Sequence, residues 1–441
     1  MSKFHLGNAA ICALMASGCG LSVRPELSPA ALPSNWEAHG KNLVRPDLPR
    51  GKEERSAVLL SYLPIDDPME NHVPVYLNVL ERTTSERVYN VAFTDMDGRN
   101  NTFAYRIVSD NTERVVSLRS QPAPGITEMT TNNPEVLQGA VTWAYSSYPG
   151  KLKAFSYLGH GGGYLGIATD NTPGKEKPPD QAVGTMTVAD FGTAIKKGLK
   201  GRKLSIMYLH ACLMANLEAA YELRDAAEVL VASEDFVGSE LAGTEKSTEI
   251  FNSRLQASPA DPRQIGRDVV IQLRARQNSH GFLTATALDL DRIAEIKRSV
   301  NSLSRALLIA LPQHRSAIAT AYESVPNFYR ENKTGWRTGQ RDLWTFCKRL
   351  QQVPDRSVQQ SALAVVQAIR QALLHTRDGE GDAAQSLSIF MPTKDSMVDR
   401  ADQAYRATRF ARDCAWDEFL AAFHGWEETP VAGNDSVSAN D

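Results

Sequence analysis

Along this chain, short apolar runs alternate with segments whose apolar residues recur at helical spacing. The runs 57–63, 88–94, 102–108, 152–158, 204–212 and 228–233 are brief and free of glycine and proline. They read as strands, the purely apolar ones buried on both faces. Between them, 75–80 opens a helix, and Asn133-Pro134-Glu135 gives the next one a cap and a first-turn proline, running to about residue 147. Thr187 caps a third over 187–199, with Asp190 in its first turn. Leu, Ala and Glu fill 213–223, a fourth. Strands that alternate with helices predict an α/β fold around a mostly parallel sheet.

From residue 261 the pattern turns helical, over 262–276, 290–311, 313–324, 357–375 and 395–424. One late strand, 386–391, is closed by Pro392. The expected division is a sheet domain over 56–255, a mostly helical C-terminal domain over 256–427 and a disordered polar tail over 428–441. The region 170–184, rich in proline, glycine and charge, reads as an exposed loop.

At the amino terminus Lys3 and His5 precede an apolar stretch over 9–16 that ends in Ser17-Gly18-Cys19. Charge, short apolar core and small-residue exit make 1–19 an export signal. Ala16-Ser17-Gly18-Cys19 is similar to a bacterial lipobox, which makes Cys19 the lipidation candidate. A lipid there would tether a soluble body to a bacterial membrane, at the outer membrane or periplasmic face. Without it the protein would be secreted. Residues 20–55, with five scattered prolines, read as a spacer. Nothing in the mature chain approaches the ~20 apolar residues of a membrane span. With 48 basic and 51 acidic residues and no basic stripe, a nucleic-acid partner is not expected.

Of five cysteines, two lie in the leader. The rest, Cys212, Cys347 and Cys414, are widely spaced and form neither Cys-x-x-Cys nor a zinc pattern. Cys347 and Cys414 are expected as buried free thiols. Cys212 stands where the central strand gives way to a helix. Helix N–H groups and dipole there would lower a thiol's pKa below its usual value of roughly 8.5. His160, followed by Gly161-Gly162-Gly163, ends another strand of the same sheet. If those strands are neighbours, imidazole and thiol meet above one sheet edge, the minimum for thiolate catalysis. From the residues alone, packing is the stronger reading of a single cysteine that ends a buried strand. A dinucleotide site on Gly161-x-Gly163-x-x-Gly166 lacks its helix, and a lipase-type site lacks Gly-x-Ser-x-Gly. Zinc on His160, His210 and Cys212 lacks a fourth ligand. No calcium loop is present, so neither metal nor cofactor is expected. His39, His72, His280, His314, His375 and His424 are expected to be solvated, Glu218 and Glu222 to share an exposed face, and Trp143, Trp344 and Trp416 to lie in the core.

Leu158-Gly159-His160-Gly161-Gly162-Gly163 and Ala211-Cys212-Leu213-Met214-Ala215 together resemble the two signatures of the clostripain family of cysteine peptidases. Glu218 and Ala220-Tyr221-Glu222 continue the likeness, as do 230–234, 342–344, 387–392 and 416–420. The resemblance implies a caspase-like α/β/α sandwich and a cysteine endopeptidase acting on proteins or peptides. It implies His160 as general base and acid, Cys212 as nucleophile, and the backbone N–H groups of Gly161 and Cys212 as the oxyanion hole. It also implies a zymogen cut in a loop after the histidine, where Lys175 and Lys177 are the cleavable positions. The family usually has Asp two residues before the nucleophile, at the floor of the pocket for Arg or Lys. Here that position is His210, with Ser233 and Glu234 as further pocket residues and Glu234 or Asp235 as a substitute charge. Losing the carboxylate partner of a desolvated guanidinium costs several kcal/mol, so cleavage after Arg or Lys is expected to be weak. The alternative is a catalytically weak surface lipoprotein that binds peptides with the same fold.

Overall fold

The computed structural model describes residues 43–171, 184–238, 240–257, 261–275, 284–328, 339–375, 387–393 and 404–426. Its centre is β1 (Arg55–Ile65), flanked in parallel by β2 (Val88–Met96) and β5 (Gly150–Leu158). β2 continues antiparallel into β3 (Phe103–Arg106) and β4 (Leu118–Ser120). On the other side β5 pairs in parallel with β8 (Leu204–His210), and β8 with β9 (Ala227–Ala232). β10 (Thr286–Asp289) closes that edge antiparallel to β9. A short arm, β6 (Ile167–Asp170) with β7 (Gly184–Met186), leaves the end of β1. The described residues thus hold a 10-stranded sheet with a parallel middle.

Alternation along β1 divides the core. Ala57, Leu59 and Leu63 face α1 (His72–Thr83), α5 (Leu241–Ala257) and α6 (Pro262–Ala275). Val58, Leu60 and Tyr62 face α2 (Pro134–Ser147), α3 (Val188–Gly198) and α4 (Leu217–Leu223). The same second core continues into α7 (Ile293–Glu323), α8 (Leu343–Arg349), α9 (Arg356–Ala372), α10 (Arg409–Asp413) and α11 (Trp416–His424). Each fully buried Leu, Ile or Val contributes about 1.5–3 kcal/mol of transfer free energy. A ribbon of β11 (Gln340–Asp342) and β12 (Ser388–Phe390) joins these helices to the sheet.

Several elements differ from the pattern-based expectation. The helix after the central strand starts at Leu217, because Leu213 adopts φ 64° and Asn216 supplies the cap, accepting from the Ala219 N–H at 3.1 Å. Helix α5 was unforeseen. Thr244, Ser247, Thr248 and Asn252 of its inner side are buried polar residues, so no clean apolar stripe marks it. β10 carries the sheet past residue 255. α7 spans the two helices expected around residue 312, with non-helical backbone at His314 just after Pro312. Of the late helical region, α10 and α11 lie among the described residues. The spacer is docked from residue 43: Val44 is buried, and Pro49 O accepts from the Tyr148 hydroxyl at 2.9 Å.

Candidate active site

β5 and β8 run side by side with Leu158 opposite His210. Both chains leave the sheet at its carboxyl edge, and two residues on they carry His160 and Cys212. The two turns touch: a Cβ on Gly161 would lie 2.6 Å from the Cys212 carbonyl oxygen, so only glycine fits there. Tyr208 and Cys212 belong to the same core face as Ala154 and Leu158, which puts the thiol on that side of the sheet. Next to the cysteine, Leu213 is held in the left-handed region, a strain of about 1–3 kcal/mol. Leu213 N–H to Asp235 O at 3.2 Å and Ala215 N–H to Ser233 O at 2.8 Å hold that turn against the end of β9.

Cys212 is fully buried, and the Val237 N–H donates to its sulfur at 3.3 Å. Cys347 and Cys414 are both free and buried. Because α4 begins only at Leu217, Cys212 does not sit in its first turn, and the dipole argument for a lowered thiol pKa loses most of its force.

His160 is 7% exposed, and a residue that sequence reasoning missed holds its ring. Asp67, two residues past β1, lies with Oδ2 2.6 Å from His160 Nε2. Burial pushes the Asp67 carboxyl up, but the hydrogen bond and charge of His160 outweigh it and leave it below its usual value. Asp67 Oδ1 accepts the Met69 N–H at 2.6 Å, which fixes the carboxylate. His160 Nδ1 has no hydrogen-bond partner among the described residues. The backbone is fixed too: the Tyr157 hydroxyl donates to His160 O at 2.8 Å and accepts the Ala168 N–H at 3.0 Å. The bridge between Gly161 and Ile167 runs through Gly162 N–H to Gly166 O at 3.0 Å and Ala168 N–H to His160 O at 3.4 Å. Neither bond uses the N–H of Gly161.

His210 is buried on the Cys212 face, its Nδ1 2.9 Å from the Ser247 hydroxyl of α5. Ser233 and Glu234 are buried at the end of β9. The Ser233 hydroxyl lies 2.9 Å from Thr284 O, and the Glu234 N–H donates to the Thr284 hydroxyl at 3.0 Å. Lys175, Lys177 and Cys19 lie outside the described residues.

Three expectations about side chains are corrected. His72 is buried, its Nδ1 2.7 Å from the Thr244 hydroxyl, because α5 packs over α1. Glu218 and Glu222 are buried because the C-terminal helices cover α4. Glu218 accepts the Phe390 N–H at 3.0 Å and is pushed up to about 7 by burial, while Glu222 pairs with Arg409 at 3.3 Å. Asp170, taken for a loop carboxylate, is a buried strand residue. It is pushed up to about 8 by burial and by the charge of Asp66, and the Thr131 hydroxyl links it to Asp95.

A parallel-centred sheet that brings a cysteine turn against a histidine turn at one carboxyl edge, with helices on both faces, is the framework of the caspase-like cysteine peptidases. The chain belongs to the clostripain family, whose family model matches residues 91–426. It is a cysteine peptidase of that family. Among solved structures it is similar to a secreted C11 cysteine protease from Bacteroides thetaiotaomicron in complex with an irreversible peptide inhibitor. There the identity is 12% over 82% of this chain and 99% of that one, with a TM-score of 0.57. It is also similar to an inactive zymogen C11 protease from Parabacteroides distasonis, at 14% identity, 82% and 99% coverage and a TM-score of 0.57. At these identities the likeness establishes the fold. No curated protein sequence matches the chain.

Proposed function

We propose that the chain is an endopeptidase in which Cys212 attacks the scissile carbonyl and His160 Nδ1 takes the thiol proton. The observation that carries this is the meeting of the His160 and Cys212 turns, with Asp67 engaging Nε2 and Nδ1 without a hydrogen-bond partner among the described residues. The tetrahedral oxyanion would be met by the N–H of Gly161 and that of Cys212. His160 then returns its proton to the leaving amine, and water hydrolyses the thioester through the same imidazole. The buried sulfur under Val237 fits a zymogen opened by a cut at Lys175 or Lys177, a cut that a His210 pocket would make only weakly on its own chain.

We assign His210 to the floor of the primary pocket. An imidazole bound to the Ser247 hydroxyl offers a guanidinium no carboxylate partner, and an unpaired desolvated charge costs several kcal/mol. Cleavage by the reduced protein of a fluorogenic peptide library varied at the residue before the scissile bond is expected to favour uncharged residues. Arg and Lys should fall behind by about tenfold or more in kcat/KM. A strong Arg preference would sink this pocket assignment, and no cleavage of any peptide would sink the endopeptidase reading.

We also propose export and anchoring through a lipid on Cys19, the only contact with a membrane; among the described residues no helix is long and apolar enough to cross one. Growth with a labelled fatty acid should mark the wild type and leave Cys19→Ala unmarked. Label retained by that variant disproves the anchor.

A further inference from the structure

The β11–β12 ribbon touches both of the turns on which the proposed chemistry depends. Gln340, fully buried at the start of β11, donates from Nε2 to Gly162 O at 3.2 Å, two residues past His160. Its Oε1 accepts from the Ser388 hydroxyl of β12 at 3.1 Å. Ser388 in turn grips the cysteine turn: its N–H donates to Ala215 O at 2.9 Å, and its hydroxyl lies 3.3 Å from the same oxygen. One side-chain relay therefore runs from the histidine turn, through Gln340 and Ser388, to the cysteine turn.

The fit is close. Gly163 adopts φ 63°, and a Cβ there would lie 2.4 Å from Gln340 Nε2, so the loop after His160 is shaped around the amide. Phe390, two residues after Ser388, meets Tyr164 of the same loop edge-on at 4.8 Å. Its own N–H and carbonyl are held by Glu218 at 3.0 Å and by the Trp416 indole at 2.7 Å. The ribbon is thus anchored in the C-terminal core while its first residues reach the sheet edge.

We propose that Gln340 and Ser388 are positioning residues that set the separation of the His160 and Cys212 turns, an inference that rests on the peptidase reading above. A thiol and imidazole work as a pair only at hydrogen-bond reach, and displacement of about 1 Å costs roughly a hundredfold. A clamp that bonds to the backbone of both turns supplies that constraint from outside the sheet.

The test compares reduced full-length wild type with Gln340→Ala, Gln340→Glu, Ser388→Ala and a core control, Val358→Ala in α9. Two quantities are read: kcat and KM on a cleaved peptide, and the pH profile of Cys212 alkylation by iodoacetamide. Gln340→Ala and Ser388→Ala are expected to lower kcat about tenfold to a hundredfold, with KM within about threefold of wild type. Their alkylation should need a higher pH. Gln340→Glu keeps the shape, loses the donor to Gly162 O, and should follow Gln340→Ala. Val358→Ala should lose as much Tm while keeping kcat and the alkylation profile. The proposal is overturned if folded Gln340→Ala keeps both, or if Val358→Ala loses kcat in proportion to its Tm. Should wild type show no Cys212-dependent turnover, the peptidase reading falls, and the alkylation profiles alone then decide the clamp.

Discussion

Cys212→Ala is expected to abolish peptide hydrolysis, lowering kcat by at least about 10⁴-fold while the protein stays folded. The residual rate of an enzyme without its nucleophile comes from binding and oxyanion stabilisation, and water is a poor substitute for a thiolate. Among the described residues no second thiol can take over. Cys347 and Cys414 are buried in the helical core, where burial pushes Cys414 up to about 12 and Cys347 higher still. The structural cost is small by comparison. The substitution removes one sulfur, and with it the acceptor of the Val237 N–H, worth about 1–3 kcal/mol if that donor stays dry. Activity, Tm and intact mass after exposure to an irreversible peptide ketone are the measurements. Wild type should gain one inhibitor mass and the alanine variant none. Hydrolysis by Cys212→Ala at anything near the wild-type rate would mean that another group does the chemistry.

How much of this site could be read from the chain depends on which physical signal each part leaves. The strands that carry His160 and Cys212 are runs such as 152–158 and 204–210, buried because the parallel sheet is covered on both sides, and burial writes itself as hydrophobicity. Asp67 leaves no such trace. It follows Pro64-Ile65-Asp66 in a turn, and only the pairing of β1 with β5 brings it to His160. The helix start was misplaced because Leu213, Met214 and Ala215 are good helix formers, yet the turn they occupy is fixed by bonds to Ser233 and Asp235, far along the chain. α5 was hidden for the opposite reason. Its buried side chains are hydroxyls and an amide that satisfy His72, His210 and Thr83, so burial there is not apolar. Ser388 lies in the late strand expected over 386–391, but Gln340 sits in a three-residue strand, too short for any period to register.

Asp67→Asn is the substitution that separates an imidazole held for catalysis from one merely buried. The carboxylate has two jobs: Oδ1 takes the Met69 N–H at 2.6 Å, and Oδ2 stands 2.6 Å from His160 Nε2. Asparagine has one carbonyl oxygen. If it stays with the Met69 N–H, the amide NH₂ faces Nε2, which must then accept, and the ring proton moves to Nδ1. That tautomer cannot take the thiol proton through Nδ1. A kcat loss of roughly 10²–10³-fold follows, with KM within about threefold, because substrate binding does not use Asp67. The pH behaviour gives an independent reading. The folded-state pKa of Asp67 lies below its ordinary 3.8, so its contact with His160 adds stability above that pH and loses it as the pH falls through the lowered value. Wild type should therefore be more stable than Asp67→Asn at pH 6, and the two should converge toward pH 3 in chemical denaturation. Equal kcat for the two proteins would leave Asp67 a packing residue and return the site to a simple pair of Cys212 and His160.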